Sequence, residues 1–200
     1  MPESMLMYRL ADAGGGIPLY QLKITLRHSK PPIWRRVVVR ADTRLDRLHH
    51  FIQAAMGWMD SHLHQFKAGG LDYGVPEPEF DDFGVEPLDE RKYTLADLAP
   101  VAKRKFIYEY DFGDSWEHEV LVEKVLPPDA VLKHPFCLAG ANQRPPEDCG
   151  GIPGYYELLE ALADPNHERH EELKAWVGGG WDASRFDLED TNARLKRLKA

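Results

Sequence analysis

Between Tyr110 and Val120 the chain reads YDFGDSWEHEV, which sets Asp111, Asp114, Glu117 and Glu119 beside Trp116 and His118. Clustered carboxylate oxygens are what Mg²⁺ or Ca²⁺ takes as ligands, and a histidine adds a nitrogen donor. The same residues also fit a β-hairpin with one polar face, and register decides between the two. A two-residue loop at Gly113-Asp114 pairs Tyr110 with Glu117 and mixes aromatic with charged groups. A three-residue loop, Gly113-Asp114-Ser115, pairs Phe112 with Trp116, Tyr110 with His118, Tyr108 with Val120 and Phe106 with Val122. One face is then aromatic or apolar throughout, and burial specifies register, so this second pairing is expected. His118 enters the core as a hydrogen-bonded histidine. On the outer face Asp111 falls opposite Glu117 and Glu109 opposite Glu119. Like charges across a ladder are destabilising by up to about 1 kcal/mol per pair. Glu109, Asp111, Glu117 and Glu119 are therefore a candidate contact face that must meet arginine, a divalent metal or a partner. Arg36 and Arg40 are the expected neighbours.

Other donors are spread along the chain. Cys137 and Cys149 lack the close-spaced pairing of zinc ligands; with His118 and a second histidine they make a metal set if the fold brings them together, and two partly buried thiols are the simpler account. His167 and His170 fall on one side of an expected helix, next to Glu171. His62 and His64 share a strand face with Phe66, where packing is the simpler account. The segment Pro145-Pro146-Glu147-Asp148-Cys149-Gly150-Gly151 leads into a helix, yet its acids repel the anion that a nest of backbone N–H groups would attract. Arg35, Arg36, Arg40, Arg44 and Arg47 form the strongest basic patch.

The elements that must place these residues follow from periodicity. Tyr20, Leu22, Ile24 and Leu26 alternate with polar residues, and a second strand runs from Ile33 to Arg40 after the Ser29–Pro32 turn. Thr43 and Asp46 read as a capping box for a helix bearing Leu45, Leu48, Ile52, Ala55 and Met56, stopped by Gly57. A third strand is expected over 62–68. Residues 69–92 and 127–151 read as long loops, with a short helix from Thr94 between them. Three helices follow: one carrying Tyr155, Leu158, Leu159 and Leu162, one opened by Asp164-Pro165 with Leu173, Trp176 and Val177 inward, and one from Asp187 with Leu188, Thr191, Leu195 and Leu198 inward. The expected fold is α+β: a mixed sheet of about five strands, a β-grasp-like strand–strand–helix start and a C-terminal helical segment. Residues 1–17 are an expected flexible lead and 18–200 one domain.

Composition narrows the partners. Acidic residues number 33 against 25 basic, a formal net charge of −8. That balance weighs against nucleic acid, which wants a basic footprint. Neither a signal peptide nor a membrane span is legible, and two cysteines do not make a disulfide framework, so a cytoplasmic chain is expected.

The ordered motifs Pro32-Ile33-Trp34-Arg35-Arg36, Gly57-Trp58, His62-Leu63-His64-Gln65-Phe66, YDFGDSWEH, Arg144-Pro145-Pro146-Glu147-Asp148-Cys149-Gly150-Gly151 and Asp164-Pro165-Asn166-His167 resemble the plasmid pRiA4b ORF-3-like family over residues 18–190. The resemblance implies an α+β domain found in plasmid or mobile-element settings, with no assigned reaction or catalytic residues. Some members carry the label of transposon resolvase. A serine recombinase needs an N-terminal serine among arginines and a helix-turn-helix; only Ser29 has basic neighbours, and it sits in a turn. The expected function is a non-enzymatic interaction or accessory domain that contacts another protein and needs no cofactor. A metal-dependent enzyme using the hairpin acids and histidines is the alternative, and DNA binding a third reading.

Overall fold

The computed structural model describes residues 16–76, 86–129 and 132–198. The N-terminal lead and part of the 69–92 loop lie largely outside them. Alternation does what alternation must: β1 (Leu19–Leu26) turns Tyr20, Leu22, Ile24 and Leu26 inward and pairs antiparallel with β2 (Trp34–Arg40). Helix α1 (Leu45–Met56) buries Leu45, Leu48, Phe51, Ile52, Ala55 and Met56 against that face and stops at Gly57, whose φ of 93° suits a residue without Cβ. Its entry differs from the expected capping box. Arg44 is the N-cap, Asp46 pairs with Arg44, and the Thr43 hydroxyl donates to Arg40 O.

The remaining strands are β3 (His64–Ala68), β4 (Leu71–Gly74), β5 (Leu88–Asp89), β6 (Lys105–Tyr110), β7 (Trp116–Leu126) and β8 (Phe136–Ala141). They form one sheet ordered β5-β4-β3-β6-β7-β1-β2-β8, antiparallel except for the parallel β4–β5 pair. The fold is α+β with a mixed sheet, but the sheet has eight strands rather than about five. The extra strands, β4, β5 and β8, are short and lie in segments read as loops; they pair with an existing edge or with each other and show little hydrophobic pattern. The strand–strand–helix opening is present, but β7 flanks β1 antiparallel, unlike the parallel central pair of a β-grasp.

The hairpin faces are as expected, its register is not. Tyr108, Tyr110, Trp116, His118, Val120 and Val122 are buried. Their pairing is Tyr110 with Trp116, Tyr108 with His118 and Phe106 with Val120, two residues away from the expected register, and Phe112 is 50% exposed. The cause is Asp111. It adopts φ 59°, its Oδ1 accepts from the N–H groups of Gly113 (3.0 Å) and Asp114 (3.3 Å), and Ser115 N–H donates to its carbonyl. Aspartate tolerates this left-handed conformation and closes the turn with its own side chain. The strand therefore ends at Tyr110.

The helices after the sheet are α3 (Gly151–Ala163), α4 (His170–Val177) and α5 (Leu188–Lys196); α2 (Leu95–Leu98) is the short helix after Thr94, whose N–H donates to Asp97 as expected of a capping box. Among the described residues there are five α-helices, none long and apolar enough to cross a membrane. Asp164-Pro165 does not open α4. Asp164 Oδ1 accepts from Asn166 N–H and turns the chain, and α4 begins five residues later. Leu188 and Trp176 are largely exposed, whereas Thr191, Leu195 and Leu173 are buried.

The observed register makes a contrast that unfolding can read. Trp116→Ala should cost about 3–5 kcal/mol in urea titration, and Phe112→Ala less than about 0.5 kcal/mol. Comparable losses would favour the register that pairs the two.

Candidate functional site

The four candidate acids separate. Glu109, Glu117 and Glu119 stay on the outer face of the sheet, with Glu109 directly opposite Glu117. Bases from the neighbouring strands and turn meet them: Lys67 on Glu109 at 2.8 Å, Arg27 on Glu117 at 2.5 Å and Lys105 on Glu119 at 2.9 Å. Gln65 and Ser115 also donate to Glu109. The expected partners Arg36 and Arg40 meet other acids: Arg36 reaches across β1 to Glu123, further along β7, and Arg40 pairs with Asp42.

The basic patch is likewise dispersed. Arg44 pairs with Asp46, Arg47 lies over the Phe51 ring, and Arg35 is buried on the core face of β2 opposite Ile24. Among the described residues the candidate metal ligands His118, Cys137, Cys149, His167 and His170 do not form a group of three. His118 Nδ1 donates to Tyr108 O and Nε2 accepts from Trp58 Nε1–H at 3.1 Å, which is the neutral ring. Burial pushes the Cys137 thiol up and that of Cys149 up to about 12. His170 Nδ1 donates to Ala161 O, and His167 Nδ1 accepts from Arg169 N–H. Ser29 is buried in its turn, donating to Leu26 O and accepting from Ile33 N–H, so its hydroxyl is held.

Asp111 goes to a different place. Its free oxygen, Oδ2, stands 3.7 Å from His62 Nε2, and Glu147 Oε2 and Asp148 Oδ1 stand 3.9 and 3.2 Å from the same nitrogen. Asp111 and Glu147 are mostly buried, His62 is half-buried and Asp148 is exposed. Among the described residues none of the three acids forms an ion pair with lysine or arginine. His62 lies just before β3 rather than within it.

Three segments converge here, and hydrogen bonds lock them. Tyr110 Oη–H donates to Glu147 Oε2 and accepts from Ser61 N–H, while Met59 N–H donates to Glu147 Oε1. Gly150 N–H donates to Asp114 Oδ2, and Gly151 lies so close that a Cβ there would meet Asp114 O at 2.6 Å. Burial, with Glu147 adding to it, pushes the Tyr110 hydroxyl up to about 12, so it stays a donor.

Behind the 58–62 segment runs a second network. His49 Nε2 bonds Asp60 Oδ1 at 2.7 Å, His49 Nδ1 bonds Tyr108 Oη at 2.8 Å, and Gln53 donates to the same hydroxyl. His50 also approaches Asp60, and His64 stacks on His49 while bonding Glu90. Burial holds His49 down at about 3. With both of its nitrogens used by the protein, this network positions the loop. The helical spacing of Leu45, His49, Ile52 and Met56 was the signal that His49 faces inward. Glu147 and Asp148 carried no such signal, since nothing local to them announces His62.

The family model for plasmid pRiA4b ORF-3-like protein matches residues 18–190. A protein of Sinorhizobium fredii (strain NBRC 101917 / NGR234), described as uncharacterized protein y4hQ, is 41% identical over 182 residues, covering 90% of this chain and 92% of the relative. A crystal structure of MM3350, a protein of unknown function from Methanosarcina mazei Go1, matches with a TM-score of 0.76 at 34% identity, covering 88% of this chain and 98% of that one. His62, Asp111, Glu147 and Asp148 all fall within the matched span.

Burial holds His118 down at about 4, against the usual 6.5. Below 6.5 the unfolded chain takes up a proton that the folded chain refuses. Stability should therefore be unaffected by this group above pH 6.5 and should fall from there towards pH 4. Urea midpoints across that range check this, and a folded His118→Gln variant should fall less steeply. An unchanged slope would contradict the assignment.

Proposed function

The chain belongs to the plasmid pRiA4b ORF-3-like family, and on that premise we propose that it is an accessory binding domain organised around a divalent cation. His62, Asp111 and Asp148 hold the ion, Glu147 stands beside them on its hydrogen bonds from Tyr110 and Met59, and the loops that carry them present a surface to a partner protein. One observation carries the reading: His62, Asp111 and Asp148, from three separate segments, bring ligand atoms within 4.8 Å of one another with Glu147 beside them, and among the described residues no lysine or arginine forms an ion pair with the three carboxylates.

Magnitudes favour an ion. Donors about 2.1 Å from a common metal stand about 3.0 Å apart in octahedral and about 3.4 Å in tetrahedral geometry. His62, Asp111 and Asp148 each place a ligand atom within 4.8 Å of the other two, and the separations of 3.2 and 3.7 Å from His62 Nε2 close to these values with movements of up to about 0.7 Å. Mixed nitrogen and oxygen donors suit Zn²⁺ or Mn²⁺. The hydrogen bonds on Glu147 and Asp111 aim those carboxylates, as outer partners of metal ligands do. Beside the ligands in sequence, Met59, Leu63 and Phe112 are at least half exposed. Exposed apolar side chains around a polar centre are the usual composition of a protein contact. The basic residues of the sheet are largely engaged in ion pairs, which supports a protein rather than nucleic acid as partner. The exposure of Asp148 favours a second reading, hydrolysis, since an ion held there has one side open to water.

Metal-stripped protein should gain about 5–10 °C in Tm with saturating Zn²⁺ or Mn²⁺, the shift expected of a ligand at a hundred times its Kd. His62→Ala and Asp148→Asn should each lose most of that gain while keeping the unliganded Tm within a few degrees, about the margin of a surface substitution. No shift with Zn²⁺, Mn²⁺ or Mg²⁺, together with no metal in protein purified without chelator, would rule the site out.

A further inference from the structure

A separate cavity of about 300 Å³ opens where β2, the end of α1, the segment before the Pro145-Pro146 pair and α5 come together. Arg35, Arg144, Arg185 and Arg194 line it, with Asp187 and Asp190 as its carboxylates. Four arginines in one cavity of a chain with net charge −8 need an explanation.

The two aspartates are committed. Asp190 pairs with Arg194, and Asp187 accepts from Asp190 N–H as the N-cap of α5 while facing Arg185 at 3.9 Å. Arg35 and Arg144 have no carboxylate within ion-pair distance among the described residues. Arg35, only 3% exposed, donates through Nε to Ala55 O and through Nη1 to Trp34 O and Ala141 O. Arg144 donates through Nε to Gly57 O and through Nη1 to Pro145 O, with Glu147 acting on it only at longer range. The Nη2 group of each has no acceptor among the described residues.

The simpler account is that arginines cap the C-terminal end of α1, since Arg194 also donates to Ala54 O. Magnitude decides against that as the whole explanation. A helix terminus offers about half a negative charge, and three guanidiniums converge on it. A Cβ placed on Gly57 would lie 3.7 Å from Arg194 Nη2 and 3.8 Å from Arg144 Nε, so two of them flank one point. The third, Arg35, is held 4.5 Å over the Phe186 ring, with Gly140 leaving room for both. Burial and the neighbouring Arg194 lower the Arg35 guanidinium to about 10 and move Arg144 in the same direction. Arg194 has Asp190, but the charges of Arg35 and Arg144, gathered beside it and largely buried without a carboxylate among the described residues, are disfavoured unless an anion joins them.

We propose that this cavity binds the phosphate group of a small molecule, with Arg35, Arg144 and Arg194 donating to its oxygens. Guanidinium forks suit phosphate, and a tetrahedral dianion offers enough acceptors for all three. The volume lies at the low end for ligand pockets, which fits a small phosphomonoester and not a polymer.

The test is calorimetric titration of the full chain with inorganic phosphate at ionic strength held constant with NaCl. Spectra of ¹⁵N-arginine Nε groups are recorded alongside it. One saturable phosphate per chain is expected, with shifts of the Arg35, Arg144 and Arg194 resonances and weaker binding of acetate. Arg144→Gln should weaken phosphate about tenfold or more, the loss expected of a charge-assisted hydrogen bond. Arg27→Gln, a change on the outer face of the sheet, should leave it unaltered. Absence of saturable heat, shifts confined to exposed arginines, undiminished affinity in Arg144→Gln, or binding of duplex DNA but not free phosphate would each overturn the proposal. If Arg144→Gln does not fold, the wild-type spectra decide.

Discussion

The inner face of the β6–β7 hairpin carries polar atoms into the core, and each of them needs a partner there. Tyr108, Tyr110 and His118 are fully buried, so Tyr108 Oη, Tyr110 Oη and both nitrogens of His118 must find partners within the protein. Tyr108 O satisfies one nitrogen of His118 within the hairpin; α1 and the segment after it supply His49 and Gln53 for Tyr108, Trp58 for His118 and Ser61 for Tyr110, which also donates to Glu147. Leaving a buried group unpaired costs about 1–3 kcal/mol. The 58–62 segment therefore cannot drift without exposing several such debts together. His62 stands where it does because residues on either side of the hairpin's polar atoms are pinned.

The same constraint organises the charges. On the outer sheet face the like-charged pair Glu109 and Glu117 is offset by Lys67 and Arg27, so that surface is nearly self-balanced. Two places are not. One gathers Asp111, Glu147 and Asp148 on His62, the other gathers Arg35, Arg144 and Arg194. One segment feeds both, since Arg144 and Glu147 lie on either side of Pro145-Pro146. Arg144 also lies over the Trp58 ring, whose indole N–H holds His118. Occupation of either site thus bears on a loop that the other shares.

The core faces of β1, α1 and the β6–β7 hairpin were legible, because period-two and helical spacing act residue by residue, whereas Trp176 and Leu188, placed inward by the same spacing, are exposed. Tyr20 to Leu26, Tyr108 and His118, and Leu45 to Met56 all face as their spacing requires. What depends on long-range pairing was not legible. Phe136–Ala141 has no β-branched residue and becomes β8 only because β2 offers it an edge. The hairpin register turned on Asp111 preferring its own turn to a place in the ladder, a local choice that outweighed the burial of Phe112. Arg35 looked like surface charge among Trp34, Arg35 and Arg36, and its burial depends on carbonyls of α1 and β8. His62 looked like packing, because Glu147 and Asp148 reach it from far along the chain.

The central claim is that His62, Asp111 and Asp148 are assembled to hold an ion, with Glu147 beside them. Crystals grown with Mn²⁺ and measured for anomalous scattering test it most directly. The account predicts a peak about 2.0–2.3 Å from His62 Nε2, Asp111 Oδ2 and Asp148, with the three loops arranged as they are. Anomalous peaks only elsewhere, with Asp111, Glu147 and Asp148 bridged by water alone, would contradict it.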